Sequence, residues 1–109
     1  MLIARCKKNK TDVYVNWNSY MGSDKVPVAF RFGENQANQN SWSPSTDGTA
    51  LFAPDYFHIK LLRRIVESES TKLTLRSTPF HESPVTAVFD TTGAKESLMK
   101  LSQTCNWKF

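Results

Sequence analysis

Period-two alternation of apolar and polar residues restricts this chain more than any other feature. A segment of that period buries its apolar set on one side only as a β-strand. In the run KVPVAFRFG, Val26, Val28, Phe30 and Phe32 share one phase, and Pro27, Ala29 and Arg31 share the other. Leu2, Ala4 and Cys6 alternate with Ile3, Arg5 and Lys7. A polar turn over 8–10 leads into a second strand with Val13, Val15 and Trp17 on one face. Residues 50–53 read as a short strand halted by Pro54. Leu73 and Leu75 alternate with Lys72, Thr74 and Arg76, and Val85, Ala87 and Phe89 line the last strand. Pro27 has no N–H to give a ladder, which places the start of its strand at an edge or a bulge. Between Phe32 and Ala50 the stretch ENQANQNSWSPSTDG reads as a polar, mobile loop with a short strand at 41–43.

The period changes to helical over 55–67. There Phe57, Ile59, Leu61, Leu62, Ile65 and Val66 fill one apolar arc that also holds His58, and Lys60, Arg63, Arg64 and Glu67 fill the opposite stripe. A second helix is expected over 92–104, capped by Thr91 or Thr92 with Gly93 in its first turn. In it Ala94, Leu98, Leu101 and Cys105 form a narrow stripe that faces the core. The chain therefore reads as one mainly β domain (α+β) spanning 1–109. We expect a compact antiparallel β-sandwich of six to seven strands with two helices.

At 109 residues the core is small. The two cysteines, Cys6 and Cys105, frame the chain and belong to no CxxC pair, which removes zinc-ribbon and thioredoxin-like readings. They are either two buried thiols of a reduced protein or a disulfide that ties the last element to the first strand. Helical phase turns Cys105 inward, and strand phase sets Cys6 beside Leu2 and Ala4. The chain opens Met1-Leu2-Ile3 and runs directly into Arg5, with no signal-peptide pattern. On the disulfide reading a leader is expected to have been removed; on the thiol reading the protein stays in the cytoplasm.

Lys plus Arg is 14 against 10 Asp plus Glu, a formal net charge of +4. The excess lies in Arg5, Lys7, Lys8 and Lys10, which precede every acid. Three lysines in a hairpin have an ordinary use, since edge strands carry Lys to resist sheet pairing. With Tyr14, Trp17 and Trp42 they also define a small basic nucleic-acid-binding module, the weakest of the readings because so few phosphate contacts are available. No apolar run reaches the ~20 residues of a membrane-spanning helix. A hydrolytic site needs a nucleophile, a base and a group that orients the base. His58 falls in the apolar arc and His81 in the turn between Pro79 and Pro84, with no HExxH spacing and no glycine-rich phosphate loop. We expect no catalytic residue, no metal and no cofactor.

The order of LIARC, KTDVYVNW, VAFRF, W-x-x-S-x-D-G with ALF, FHIKLLRR, TAVFDTTG and LSQTCNW resembles the VasI/TagO family of type VI secretion-associated proteins, which also occur in prophages. The likeness spans nearly the whole chain, from Leu2 to Trp107. It implies a non-enzymatic exported accessory protein in the bacterial periplasm or envelope, acting by protein–protein docking on an envelope or secretion protein. It also implies that Cys6 and Cys105 form a disulfide. A prophage-encoded inhibitor or exclusion factor is the alternative reading. Arg31, Trp42, Ser45, Asp47, Phe89, Asp90 and Gly93 hold the positions that carry the resemblance. The candidate partner contacts are the Arg31/Trp42/Asp47 region and the helix stripe Lys60, Arg63 and Arg64. A buried ion pair of Arg31 or Arg76 with Asp90 is the structural alternative for those side chains.

Overall fold

A computed structural model describes residues 1–108. Seven strands and two helices follow the chain: β1 (Leu2–Lys7), β2 (Lys10–Asn16), β3 (Val26–Phe32), β4 (Asn38–Pro44), β5 (Ala50–Phe52), α1 (His58–Glu67), β6 (Lys72–Ser77), β7 (Val85–Asp90) and α2 (Ala94–Thr104). The mainly β class with two helices is as expected. The strands are all antiparallel and form one sheet in the order β1-β2-β5-β4-β3-β6-β7. In place of two separate sandwich layers, β4 joins two half-sheets. Its first part pairs with β3, up to Trp42 opposite Val26. Its last two residues, Ser43 and Pro44, pair with Phe52 and Leu51 of β5.

The alternation sorts the faces as the sequence predicts. Val13 and Val15 of β2, Val28, Phe30 and Phe32 of β3, Leu51 of β5, and Leu73 and Leu75 of β6 enter one core. Leu61, Leu62 and Ile65 of α1 and Leu98 of α2 cover it. Leu2 and Ala4 of β1 and Phe89 of β7 line a common apolar groove of about 300 Å³ with the two helices, so the opposite rims of the sheet converge on the helical side. Ile59 lies outside the core cluster, although the helical projection places it in the apolar arc.

Four expectations are corrected. The Asn/Gln-rich segment is less of a loop than expected: the short strand at 41–43 is the middle of a seven-residue interior strand, β4. Its polarity hides the strand because Trp42 is the one fully buried residue among its seven. Pro27 does not mark an edge, since β3 sits between β4 and β6. It escapes the ladder because pairing with β6 starts at Ala29, and the Ser77 hydroxyl donates to the Pro27 carbonyl at 2.9 Å. α1 begins at His58 and not at 55: Phe57 and His58 both donate backbone N–H to the Pro54 carbonyl, which makes 55–57 a turn. Gly93 precedes α2 instead of lying inside it. Its φ of 78° is left-handed, and α2 starts at Ala94.

Candidate functional site

Cys6 and Cys105 are joined. Their Cα atoms are 5.8 Å apart across a sequence separation of 99, so the bond fastens the end of α2 to β1. The tail continues the seam. Asn106 Nδ2 donates to Asn9 Oδ1 at 2.7 Å, and Trp107 Nε1 donates to Thr11 Oγ1 at 3.0 Å. Residues from both ends of the chain thus form one junction beside the basic hairpin.

The expected Arg31/Trp42/Asp47 region does not exist as a surface. Trp42 is 0% exposed, and its Nε1 donates to Asn40 Oδ1 at 2.7 Å. Its phase in β4 points it into the core, where it offers no contact to a partner. Arg31 and Asp47 lie toward opposite ends of their half-sheet. Phe30 pairs with Asn38, and Asp47 lies in the turn beyond the far end of β4, so the seven-residue length of that strand, about 20 Å, separates them.

Asp47 has a local task. Its Oδ1 accepts from Ser45 Oγ at 2.8 Å, Thr49 Oγ1 at 2.8 Å and the Thr49 N–H at 3.1 Å. These donors hold its carboxyl below the usual aspartate range, the Thr49 N–H most of all. Gly48 follows at φ 76°, and a Cβ there would collide with the Tyr20 ring. The W-x-x-S-x-D-G run is therefore a folding device: a core anchor followed by a self-bonded hairpin turn.

The helix stripe is only partly free. Lys60 is exposed. Arg63 donates through Nε at 2.8 Å, and also through Nη2, to the Lys108 carbonyl, which clamps the tail against α1. The Arg64 guanidinium lies 4.7 Å from the centroid of the Phe32 ring. It also borders a depression of about 470 Å³ with Glu67 and Glu69.

Arg31 projects from the outer face of β3, and Arg76 stands diagonally from it, opposite Ala29 on β6. Together with Thr74 and Thr86 they line a depression of about 250 Å³. The alternative ion pair is absent among the described residues. In register Asp90 faces Lys72 and not an arginine. Asp90 Oδ1 accepts from the Thr92 N–H at 2.9 Å, and bonds from the Thr92 side chain and backbone lower its pKa.

Sequence reasoning missed a second outer surface. Tyr14 and Phe52 stack at 4.8 Å across β2 and β5. Arg5 caps them at 5.2 Å from the Tyr14 centroid while its Nε lies 3.4 Å from Asp12 Oδ2. Beside Phe52, an open groove of about 840 Å³ runs past Pro44, Pro54 and Tyr56. The outward phase of Arg5 and Tyr14 was visible in the sequence, but the meeting of β2 with β5 was not. Arg5 is thereby drawn out of the N-terminal basic cluster, leaving Lys7, Lys8 and Lys10 exposed at the hairpin tip.

Among the described residues no helix is long and apolar enough to cross a membrane. Comparison with curated proteins and with solved structures finds no match of significance. The family described as Type VI secretion system VasI, EvfG matches over residues 1–107, essentially the whole chain. With the cysteine seam and the tryptophan-anchored turn lying inside that match, this chain belongs to the VasI family of type VI secretion system proteins.

Proposed function

We propose that this protein is a non-enzymatic accessory of a type VI secretion apparatus, located in the periplasm and acting by docking on another envelope protein. The observation that carries the location is the Cys6–Cys105 disulfide. Such bonds persist in oxidising compartments and are rare in the cytosol. A small core gains most where a single bond closes nearly the whole chain.

The placement of the histidines supports a docking role over catalysis. His58 is half-buried, and among the described residues its enclosed Nδ1 has no hydrogen-bond partner. His81 stands in a left-handed turn at φ 59°, packed against Phe80 at 4.0 Å. The exposed arginine depression supports binding, because guanidinium forks suit carboxylates on a partner. Arg31→Glu places an acid in that depression without touching the core. The variant is expected to keep its melting temperature and its disulfide while type VI-dependent effector release falls several-fold. Unchanged release, or two free thiols in periplasmic protein titrated under denaturing conditions, overturns the reading.

A further inference from the structure

The two rims of the sheet differ in chemistry. β1 carries Arg5 and Lys7 and turns into Lys8 and Lys10, the kind of charge that blunts an open rim. β7 reads VTAVFD, with no basic residue, and Val88 is 60% exposed. The Thr91 N–H donates to the Thr71 carbonyl at 2.8 Å, in the same register that sets Lys72 opposite Asp90. Bonded and non-bonded positions alternate along an antiparallel ladder. Val85, Ala87 and Phe89 therefore bond to β6, while Thr86, Val88 and Asp90 turn their N–H and C=O groups to the open rim.

We propose that β7 pairs antiparallel with β7 of a second copy of this chain, with Val88 on the two-fold axis and Thr86 opposite Asp90 of the other copy. The strand selects this register. Rim-facing residues must meet rim-facing residues. A shift that sets Ala87 on the axis would oppose Asp90 to Pro84, which has no N–H. Centring on Val88 uses all three rim-facing residues of each copy.

Charge complementarity favours a second copy as the occupant. Arg76 lies opposite Thr86 within one copy, so Thr86 would stand between Arg76 and the other copy's Asp90 on a single row. Arg76 and that Asp90 would then be two strands apart, about 10 Å between backbones, within reach of an extended arginine. Among the described residues Arg76 has no acidic partner in its own chain. The row becomes Lys72, Asp90, Thr86, Arg76, with the first two from one copy and the last two from the other. The contact is isologous, so it closes at two copies and leaves only the lysine-guarded β1 rims outside. This inference goes beyond the proposed docking role and does not rest on it.

Cross-linking tests the pairing and its register. A rim-bonded pair holds its Cα atoms about 5.5 Å apart, inside the range of a disulfide. Both native cysteines are already paired, so a thiol introduced by Val88→Cys has only its symmetry mate to react with. Val88→Cys is expected to run as a covalent dimer on a non-reducing gel. Thr86→Cys, whose mates would lie about 13 Å apart along the strands, is expected to stay a monomer. In light scattering the unmodified chain is expected to have the mass of a dimer. Val88→Lys, which opposes two ammonium groups on the axis, is expected to have the mass of a monomer while keeping the Cys6–Cys105 disulfide and the far-ultraviolet circular dichroism of the unmodified chain. A monomeric unmodified chain, or equal cross-linking of Val88→Cys and Thr86→Cys, overturns the proposal.

Discussion

Trp42 fills the centre of the core from a strand whose other six residues stay wholly or partly in solvent. Trp42→Ala is expected to cost about 3–5 kcal/mol, read as a lower urea midpoint, because the void cannot be refilled from β4. Three residues further on, Ser45, Asp47 and Thr49 knot the turn that Gly48 makes possible. The Asp47 carboxyl ionises below its usual value of 3.8 in the folded chain, so the knot stabilises the fold fully above that pH. Its contribution is lost as the pH falls through the lowered value. Asp47→Asn is therefore expected to flatten the acid limb of stability against pH, measured as urea midpoints from neutral to strongly acid solution. The tryptophan and this turn were visible in the sequence as the run W-x-x-S-x-D-G, but their roles were not. Nothing local distinguishes an outward tryptophan from an inward one in a strand that is otherwise polar.

The β1–β2 hairpin turns on Lys8 at φ 50° and Asn9 at φ 61°, the two left-handed positions that match the twist of paired strands. Asn tolerates that region, whereas lysine is strained there. Lys8→Gly is expected to raise stability by about 0.5–1 kcal/mol, measured by thermal melting, while Asn9 keeps its bond to Asn106. Elements with a strong apolar period were legible: β2, β3, β6 and both helices lie where the alternation or the helical arc placed them. Of β4 only 41–43 was legible, because period two can be read only when a face repeats. One tryptophan among Asn, Gln and Ser gives no repeat. The start of α1 was set by the Pro54 carbonyl, which accepts two bonds and delays the helix by three residues.

For the molecule as a whole, the Cys6–Cys105 bond closes a loop across a separation of 99 residues. Replacing both cysteines by serine is expected to remove about 3–5 kcal/mol, read as a lower denaturant midpoint and melting temperature. The tail contacts of Arg63, Asn106 and Trp107 lie on the same seam and loosen with it. The basic cluster at the N-terminus thus belongs to this junction and its hairpin, with Arg5 committed to Asp12 and the Tyr14–Phe52 stack.

By itself the sequence determined most of the inward faces of β2, β3 and β6, the presence and approximate place of both helices, and which family the chain resembles. These depend on backbone periods and on the order of short motifs, both of which are local. The tertiary structure decided the order of the strands, the interior place of β4, the separation of Arg31 from Asp47 and the diagonal placing of Arg76 beside Arg31 on one face. Each of these depends on which strand lies beside which. That choice is set by the shared burial of side chains distant in sequence, and no local period records it.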